Sequence, residues 1–563
     1  MWNYEPLSGC ATALPILMSA PFILSSSQPV SFFKRIAWIT LTVVMAMLLR
    51  IPLWIHGTDS LDSDAACNGL MLKWMSEGQG GWHLPGIHYM GVTEIVLALP
   101  AAWCFGVNTY TLISGPVIAF GLYVAATYGL VNLLYGHQTA IRALVATVFV
   151  SPDILFWSNF PIGGHVLITF WHMITIILLI GYFKTNRKQL LFVLGVWSGL
   201  GFYTYHMYLF TIAMIVPVIL VHAVKLRSQS VFLLRTFLFG TGFLLGWAPH
   251  WCGIWLQEPD VYGTQIQFTI PTNTNKLSLL IMQAEHNLDV FITECLPKFL
   301  TGYRVDTWLQ YAYSGTLALG VVLIWTIVVL GFYGMIIRSW CCKPAGGNQA
   351  FALLSGRFLM ALTPLVTLMG FLIHPAVNNE FNSRYLIYIM SWWPLAFAVV
   401  VTHLASCRRW MGTALMTALV VVHSGLLFQW NRNHDWPIQK ESQKLVMYLK
   451  QQDEFQSLLG DYWDVYRFSF LTNEHVRGVP IQMGSVYMAH VRYTGSIRVE
   501  SYRKESIKEK SVGILLRREL QLQAPPNSKL LFQDDQYELY VLHDQTVNRW
   551  HVPDPTQSIL SRP

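Results

Sequence analysis

Long stretches of the chain carry no charged side chain. Asp, Glu, Lys and Arg are missing from Ile95 to Ile141, from Ile154 to Phe183, from Gln189 to Val224 and from Thr236 to Gln257. They are missing again from Tyr311 to Ile337, Phe358 to Asn379, Tyr385 to Cys407 and Met411 to Asn431. A bilayer-spanning helix needs ~20 predominantly apolar residues, so each gap holds one span or more. In lipid the backbone must satisfy its own polar groups, and runs of this length do so as helices. The pattern predicts an α-helical polytopic membrane protein. Spans are expected near residues 36–55, as three apolar segments between Glu94 and Asn159, and near 163–183, 189–206, 207–224, 231–250, 312–337, 358–374, 385–405 and 411–430.

Basic residues in short connections set the orientation. Lys34-Arg35, the loop Lys184–Lys188, the stretch Lys225–Arg235, the segment Arg338–Arg357 and Arg408-Arg409 can all lie on the cytoplasmic side. The opposite face then receives residues 56–90, 253–311, 376–384 and everything after 431. A cytoplasmic start and an exterior end require an odd number of crossings. The apolar segments number twelve, so one is re-entrant or split and 11 to 13 transmembrane helices are expected. The apolar stretch Ala11–Ser25 is followed by the basic pair, which disfavours a simple span there, and no basic region or cleavage site marks a removable signal peptide.

Composition narrows the class. Apolar residues make up 53% of the 563 and charged residues only 12%, roughly half the share of a soluble domain. A net charge of +7, scattered along the chain, does not describe a nucleic-acid binder. Eight cysteines form no CxxC pair, and Cys341-Cys342 beside Lys343 read as free thiols. The charge is not spread evenly: residues 431–563 hold 33 of the chain's 67 charged side chains. The expected organisation is therefore an N-terminal cytoplasmic or interfacial segment (1–35), a membrane core (36–430) and a small extracytoplasmic α/β domain (431–563), whose runs LLFQDDQYELYVLH and VGILLRREL read as short strands and a helix.

Candidate chemistry concentrates in the first outer loop. Asp59, Asp62 and Asp64 cluster just beyond the first span, and Leu70, Met71, Trp74 and Met75 follow at helical spacing. An acid at such a helix start also serves as an N-cap. The loop reads DSDAACNGLMLKWMSEG and then GIHYMGVTEIVLALPAAWCFG; later come NEFNSRYLIYIMSWWPLAFA and GDYWDVYRFSFLTNEHV. In order and spacing these stretches, from about residue 36 to 500, resemble the GT-C glycosyltransferases. The resemblance is greatest to the bacterial polyprenyl-phosphate-sugar group related to lipopolysaccharide core transferases; the aminoarabinose and protein O-mannosyl transferases are more distant. The family's Asp-Glu pair falls on Asp64-Ala65, so its second acid is missing, and Asp62 is the alternative carboxylate.

The resemblance implies a GT-C fold and a polyprenyl-phosphate sugar donor. Its acceptor would be a lipid-linked glycan, an envelope polysaccharide or a protein, and the active site would face the periplasm of a bacterial inner membrane. Phosphate leaves readily, so transfer needs a base for the attacking hydroxyl and a cation for the departing phosphate. A single base opposite the leaving group gives inversion. Asp64 is assigned as that base, with Asp62 second. Arg384, at the exterior mouth of a span and followed by Tyr385, is the phosphate clamp. Glu94, His88 and Tyr89 are candidates to hold sugar; Arg304 is a weaker phosphate ligand, as is Lys298, and Arg467 reads as structural. Trp82 and Trp157 are candidates to stack on a sugar face, and SNFPIGGH, residues 158–165, is placed at an outer mouth. His165 and His172 share a helical face, but no established metal motif is present and a divalent cation is left open. Rival readings are an envelope glycan polymerase or ligase, which also uses outer-loop arginine, and a multispan transporter, against which the missing repeat counts.

Overall fold

The computed structural model describes residues 31–57, 61–225, 229–256, 276–303, 312–341, 348–374, 377, 379–433, 439–482 and most of 492–543. The Ala11–Ser25 stretch, Asp59 and Arg304 lie outside them. Helices α1 (Phe32–Leu48), α2 (Ile51–Gly57) and α3 (Ser63–Ser76) lead into a hairpin of β1 (His83–Leu84) and β2 (Ile87–Gly91). Next come α4 (Thr93–Phe105), α5 (Thr109–Tyr135), α6 (His137–Val148), α7 (Pro152–Trp157), α8 (His165–Thr185), α9 (Lys188–Thr204), α10 (Leu209–Lys225), α11 (Gln229–Gly246) and α12 (Ala248–Trp255). The core closes with α13 (Lys276–Val290), α14 (Leu296–Thr301), α15 (Ala312–Cys341), α16 (Asn348–Ile373), a 3₁₀ segment over Glu380–Ser391, α17 (Trp393–Cys407) and α18 (Arg409–Asn433).

The expected apolar segments are unequal. Among the described residues, five helices are long and apolar enough to cross a bilayer alone: Thr109–Tyr135, His165–Thr185, Gly315–Arg338, Phe351–Ile373 and Arg409–Arg432. A sixth span forms if Asn382–Ser391 and Trp393–Cys407, bent by 47°, count together. Thr93–Phe105, His206–His222 and Leu233–Gly246 are shorter apolar helices. The region between Glu94 and Asn159 holds one full-length helix flanked by short ones, because Gly106 and Gly136, both at positive φ, break the apolar run. On α15, Leu319, Leu323, Leu330 and Ile337 form one stripe, each more than 60% exposed. Apolar surface of that extent is covered by lipid in an integral membrane protein. Inside, Gly195 and Gly199 of α9 face Gly242 and Gly246 of α11, so closely that a Cβ on any of them would strike the opposing backbone; small residues at this four-residue spacing let membrane helices touch.

Beyond the core, α19 (Gln439–Gln451), β3 (Ser457–Gly460), α20 (Tyr462–Leu471), β4 (Arg477–Gln482), β5 (Arg492–Tyr493), α21 (Glu500–Ser506), β6 (Ser511–Arg517), β7 (Ser528–Gln533) and β8 (Tyr537–His543) form a small α/β unit. Its six strands lie in the order β5-β4-β3-β6-β8-β7, with β3 parallel to β4 and β6 and the other pairs antiparallel. Within the run VGILLRREL, expected to include helix, residues 512–517 belong to the buried central strand β6. A short apolar run buried on both faces has no period that separates strand from helix. Asp464, buried in α20, takes two hydrogen bonds from Arg517 (2.5 and 2.9 Å) and one from Tyr537 (3.0 Å), tying the helix to the sheet.

This unit sits on α3. The ring of Phe470 fills the space where a Cβ of Gly69 would be. Asn473 and Glu474, both at positive φ, turn the chain after α20 so that the Glu474 carboxylate meets Lys73, Tyr502 and the Trp74 indole N–H (3.2 Å). Burial raises the Glu474 pKa, but these donors outweigh it and hold the carboxyl below its usual range. It is ionised at neutral pH and latches the α/β unit to α3.

Candidate active site

The two neighbouring acids of the first loop separate by role. Asp62 has extended backbone and is the N-cap of α3, its Oδ1 accepting the Ala65 N–H at 2.8 Å. Asp64 lies in the first helical turn, where the unpaired N–H groups of the helix favour a carboxylate. Its side chain reaches a cavity with about 370 Å³ of open space, walled by Asp64, Asn68, Ile87, Tyr89, Met90, Ile162, His165, Tyr205, Arg384 and Tyr385. Asp62 is absent from that wall. The cap accounts for the Asp62 side chain and leaves Asp64 as the carboxylate at the cavity. On the tail side, Tyr462 of α20 donates a hydrogen bond to Asp64 Oδ1.

Arg384 faces the same cavity from the 3₁₀ segment. Its guanidinium carbon lies 5.3 Å from the Tyr385 ring centroid and 6.0 Å from that of Trp157, so aromatic faces support the cation. Its Nε is buried without a hydrogen-bond partner. Trp157 is itself buried and donates to Ser383 Oγ at 3.3 Å. It therefore carries the Arg384 segment and is not open for stacking on a sugar. Tyr89 and Tyr385 both wall the cavity. The His88 side chain lies outside what is described. Trp82 is 40% exposed and its carbonyl accepts the Tyr203 hydroxyl, bracing the hairpin. Lys298 acts on the buried Asp153, and Arg467 lies over Phe468 (5.9 Å); neither walls the cavity.

Glu94, a candidate sugar ligand by sequence, is engaged by backbone in the structure. It is 3% exposed, and its two oxygens accept the backbone N–H groups of Gly163 (3.2 Å) and Gly164 (2.8 Å). Both glycines have positive φ (95° and 88°), a conformation costly for side-chain-bearing residues. The carboxylate thus fixes the turn of SNFPIGGH that delivers Ile162 and His165 to the wall. Asn68 reinforces it through Nδ2 to the Pro161 carbonyl at 2.7 Å. Replacing Glu94 with Ala unpairs two buried N–H groups and is expected to cost roughly 2–5 kcal/mol, with Gln costing roughly half of that. Thermal unfolding of the purified protein in detergent checks both values, and equal midpoints for wild type and Glu94→Ala would contradict them.

Sequence reasoning missed Asn68 and Tyr205 as wall residues. Asn68 stands four positions after Asp64, hence on the same face of α3; that spacing was a usable signal. Tyr205 arrives through an isolated bridge between Met90 and Tyr205 that no local pattern marks. His165 and His172 part company: His172 is buried between Thr211 (3.0 Å) and Thr363 (3.2 Å). Among the described residues, no group of three or more His, Cys, Asp or Glu side chains converges as a cation site. In the cavity wall Asp64 and His165 belong to those types.

No family model and no curated protein sequence matches the chain. Solved structures do. The oligosaccharyltransferase of Archaeoglobus fulgidus in its apo form aligns with 87% of this chain over 71% of its own, at 11% identity and a TM-score of 0.53. The archaeal oligosaccharyltransferase AglB from Archaeoglobus fulgidus, in complex with an inhibitory peptide and a dolichol-phosphate, aligns over 87% and 70%, at 11% identity and a TM-score of 0.50. ArnT from Cupriavidus metallidurans, bound to undecaprenyl phosphate, aligns over 90% and 98% at 10% identity, with a TM-score of 0.48. The likeness is one of architecture, and this chain has the fold of the GT-C membrane glycosyltransferases.

Proposed function

We propose that the protein is an inverting glycosyltransferase that takes a sugar from a polyprenyl-phosphate donor. The acceptor is a lipid-linked glycan, an envelope polysaccharide or a protein at the outer membrane face, which in a bacterium is the periplasmic face of the inner membrane. One observation carries the reading: a carboxylate and a guanidinium 320 positions apart in the chain wall one small cavity. In this reading Asp64 accepts the proton of the acceptor hydroxyl as its oxygen bonds to the anomeric carbon. The bond from that carbon to the phosphate oxygen breaks, its electron pair leaves with the phosphate, and Arg384 holds the growing negative charge. Tyr89, Tyr205 and Tyr385 supply rings and hydroxyls suited to a sugar. A single guanidinium, that of Arg384, stands in the cavity wall and suits one phosphate.

The test is transfer by the purified protein with a panel of polyprenyl-phosphate monosaccharides and envelope extracts as acceptor. At least one donor is expected to release free polyprenyl phosphate and yield a product of inverted anomeric configuration. Release of lipid diphosphate, retained configuration or ion-driven flux without transfer would each count against the proposal.

A further inference from the structure

His165 is the first residue of α8 and is 4% exposed. Both ring nitrogens, Nδ1 and Nε2, are buried without a hydrogen-bond partner. By contrast, His172 bonds two threonines and His83 bonds His250. The orphaned ring walls the cavity. It packs at 4.9 Å against Tyr205 and experiences the charges of both Arg384 and Asp64. Its position is fixed from behind, because the preceding Gly163 and Gly164 are pinned by Glu94. A rigidly held imidazole in a cavity wall, with both nitrogens unpartnered, has hydrogen-bonding capacity that a ligand could satisfy. The adjacent guanidinium disfavours a metal cation there, and an imidazole that donates from one nitrogen and accepts at the other matches a hydroxyl group.

We propose that His165 reads a ring hydroxyl of the donor sugar, between the base at Asp64 and the phosphate at Arg384, and so helps to set which sugar is accepted. The inference rests on the transferase reading above but is tested by binding, without turnover. Full-length protein in nanodiscs is titrated with bare polyprenyl phosphate, with the polyprenyl-phosphate sugar that the panel selects, and with deoxy versions of that sugar. Wild type is expected to bind the sugar-bearing lipid about tenfold more tightly than the bare one. His165→Ala should remove most of that preference and leave affinity for bare lipid within about twofold. One deoxy analogue should bind wild type as weakly as the full sugar binds His165→Ala. His165→Asn, which keeps a donor and an acceptor near the Nδ1 position, should recover part of the preference and guards against a folding defect in the alanine variant. A preference unchanged in His165→Ala, or equal losses for bare and sugar-bearing lipid, would overturn the inference alone. Failure of wild type to bind any of these lipids would overturn the transferase reading, and this inference with it.

Discussion

Asp64→Asn is expected to slow sugar transfer by ~10²–10⁴-fold, the usual worth of a positioned base, while donor affinity stays near its wild-type value. Asparagine is the informative replacement because the local architecture survives it. The carbonyl of the amide can still accept the Tyr462 hydrogen bond that Asp64 accepts, so the α/β unit keeps its seat on α3. Asp62 still caps the helix. What disappears is the capacity to take a proton. Asp64→Glu keeps that capacity but moves the carboxylate by one methylene, and near-attack geometry tolerates little displacement, so only partial activity is expected. Asp62→Asn preserves an N-cap and should leave transfer within about threefold of wild type. Initial rates at saturating donor separate the three. Full activity in Asp64→Asn would remove the base from the proposed mechanism, and a collapse in Asp62→Asn would return the choice between the two acids to the other side.

That choice shows where the sequence stops being informative. The charge-free runs made the membrane helices readable, and the acids of the first loop and the Arg384-Tyr385 pair were readable as chemistry because a charge at a membrane edge has few cheap explanations. Which of Asp62 and Asp64 caps the helix depends on where α3 begins, and helix boundaries shift by a residue or two on small differences in capping. Glu94 looked functional for the same reason that Asp64 did. Its actual partners are the backbone N–H groups of Gly163 and Gly164, and backbone donors leave no trace in residue identity. Tyr462 and Tyr205 reach the site through tertiary contacts that each cross more than a hundred residues of chain. The short helices α4 and α6 fall within the apolar segments read as spans; Gly106 ends the one and Gly136 starts the other, both at positive φ.

Arg384→Ala is expected to lower turnover by ~10²–10³-fold, comparable to removing a preorganised donor from a site where charge develops. The donor phosphate carries one negative charge while esterified to both lipid and sugar, and gains a second as the bond to the anomeric carbon breaks. A guanidinium beside the departing oxygen therefore stabilises the transition state more than the bound donor, which is the condition for accelerating chemistry and not merely tightening binding. Its setting makes the effect large. The Trp157 and Tyr385 rings hold it without neutralising it, and its buried Nε has no hydrogen-bond partner. Arg384→Lys keeps the charge but loses the planar fork that grips phosphate through paired hydrogen bonds. It should fall between wild type and Arg384→Ala, nearer the latter. The kinetic signature distinguishes this role from a structural one. A phosphate clamp lost from the transition state lowers kcat more than it raises KM, and weakens inhibition by the product polyprenyl phosphate in the same variant. If Arg384→Ala kept both its turnover and its sensitivity to that product, the phosphate would lie elsewhere, and the cavity between α3 and the 3₁₀ segment would lose its claim to the donor.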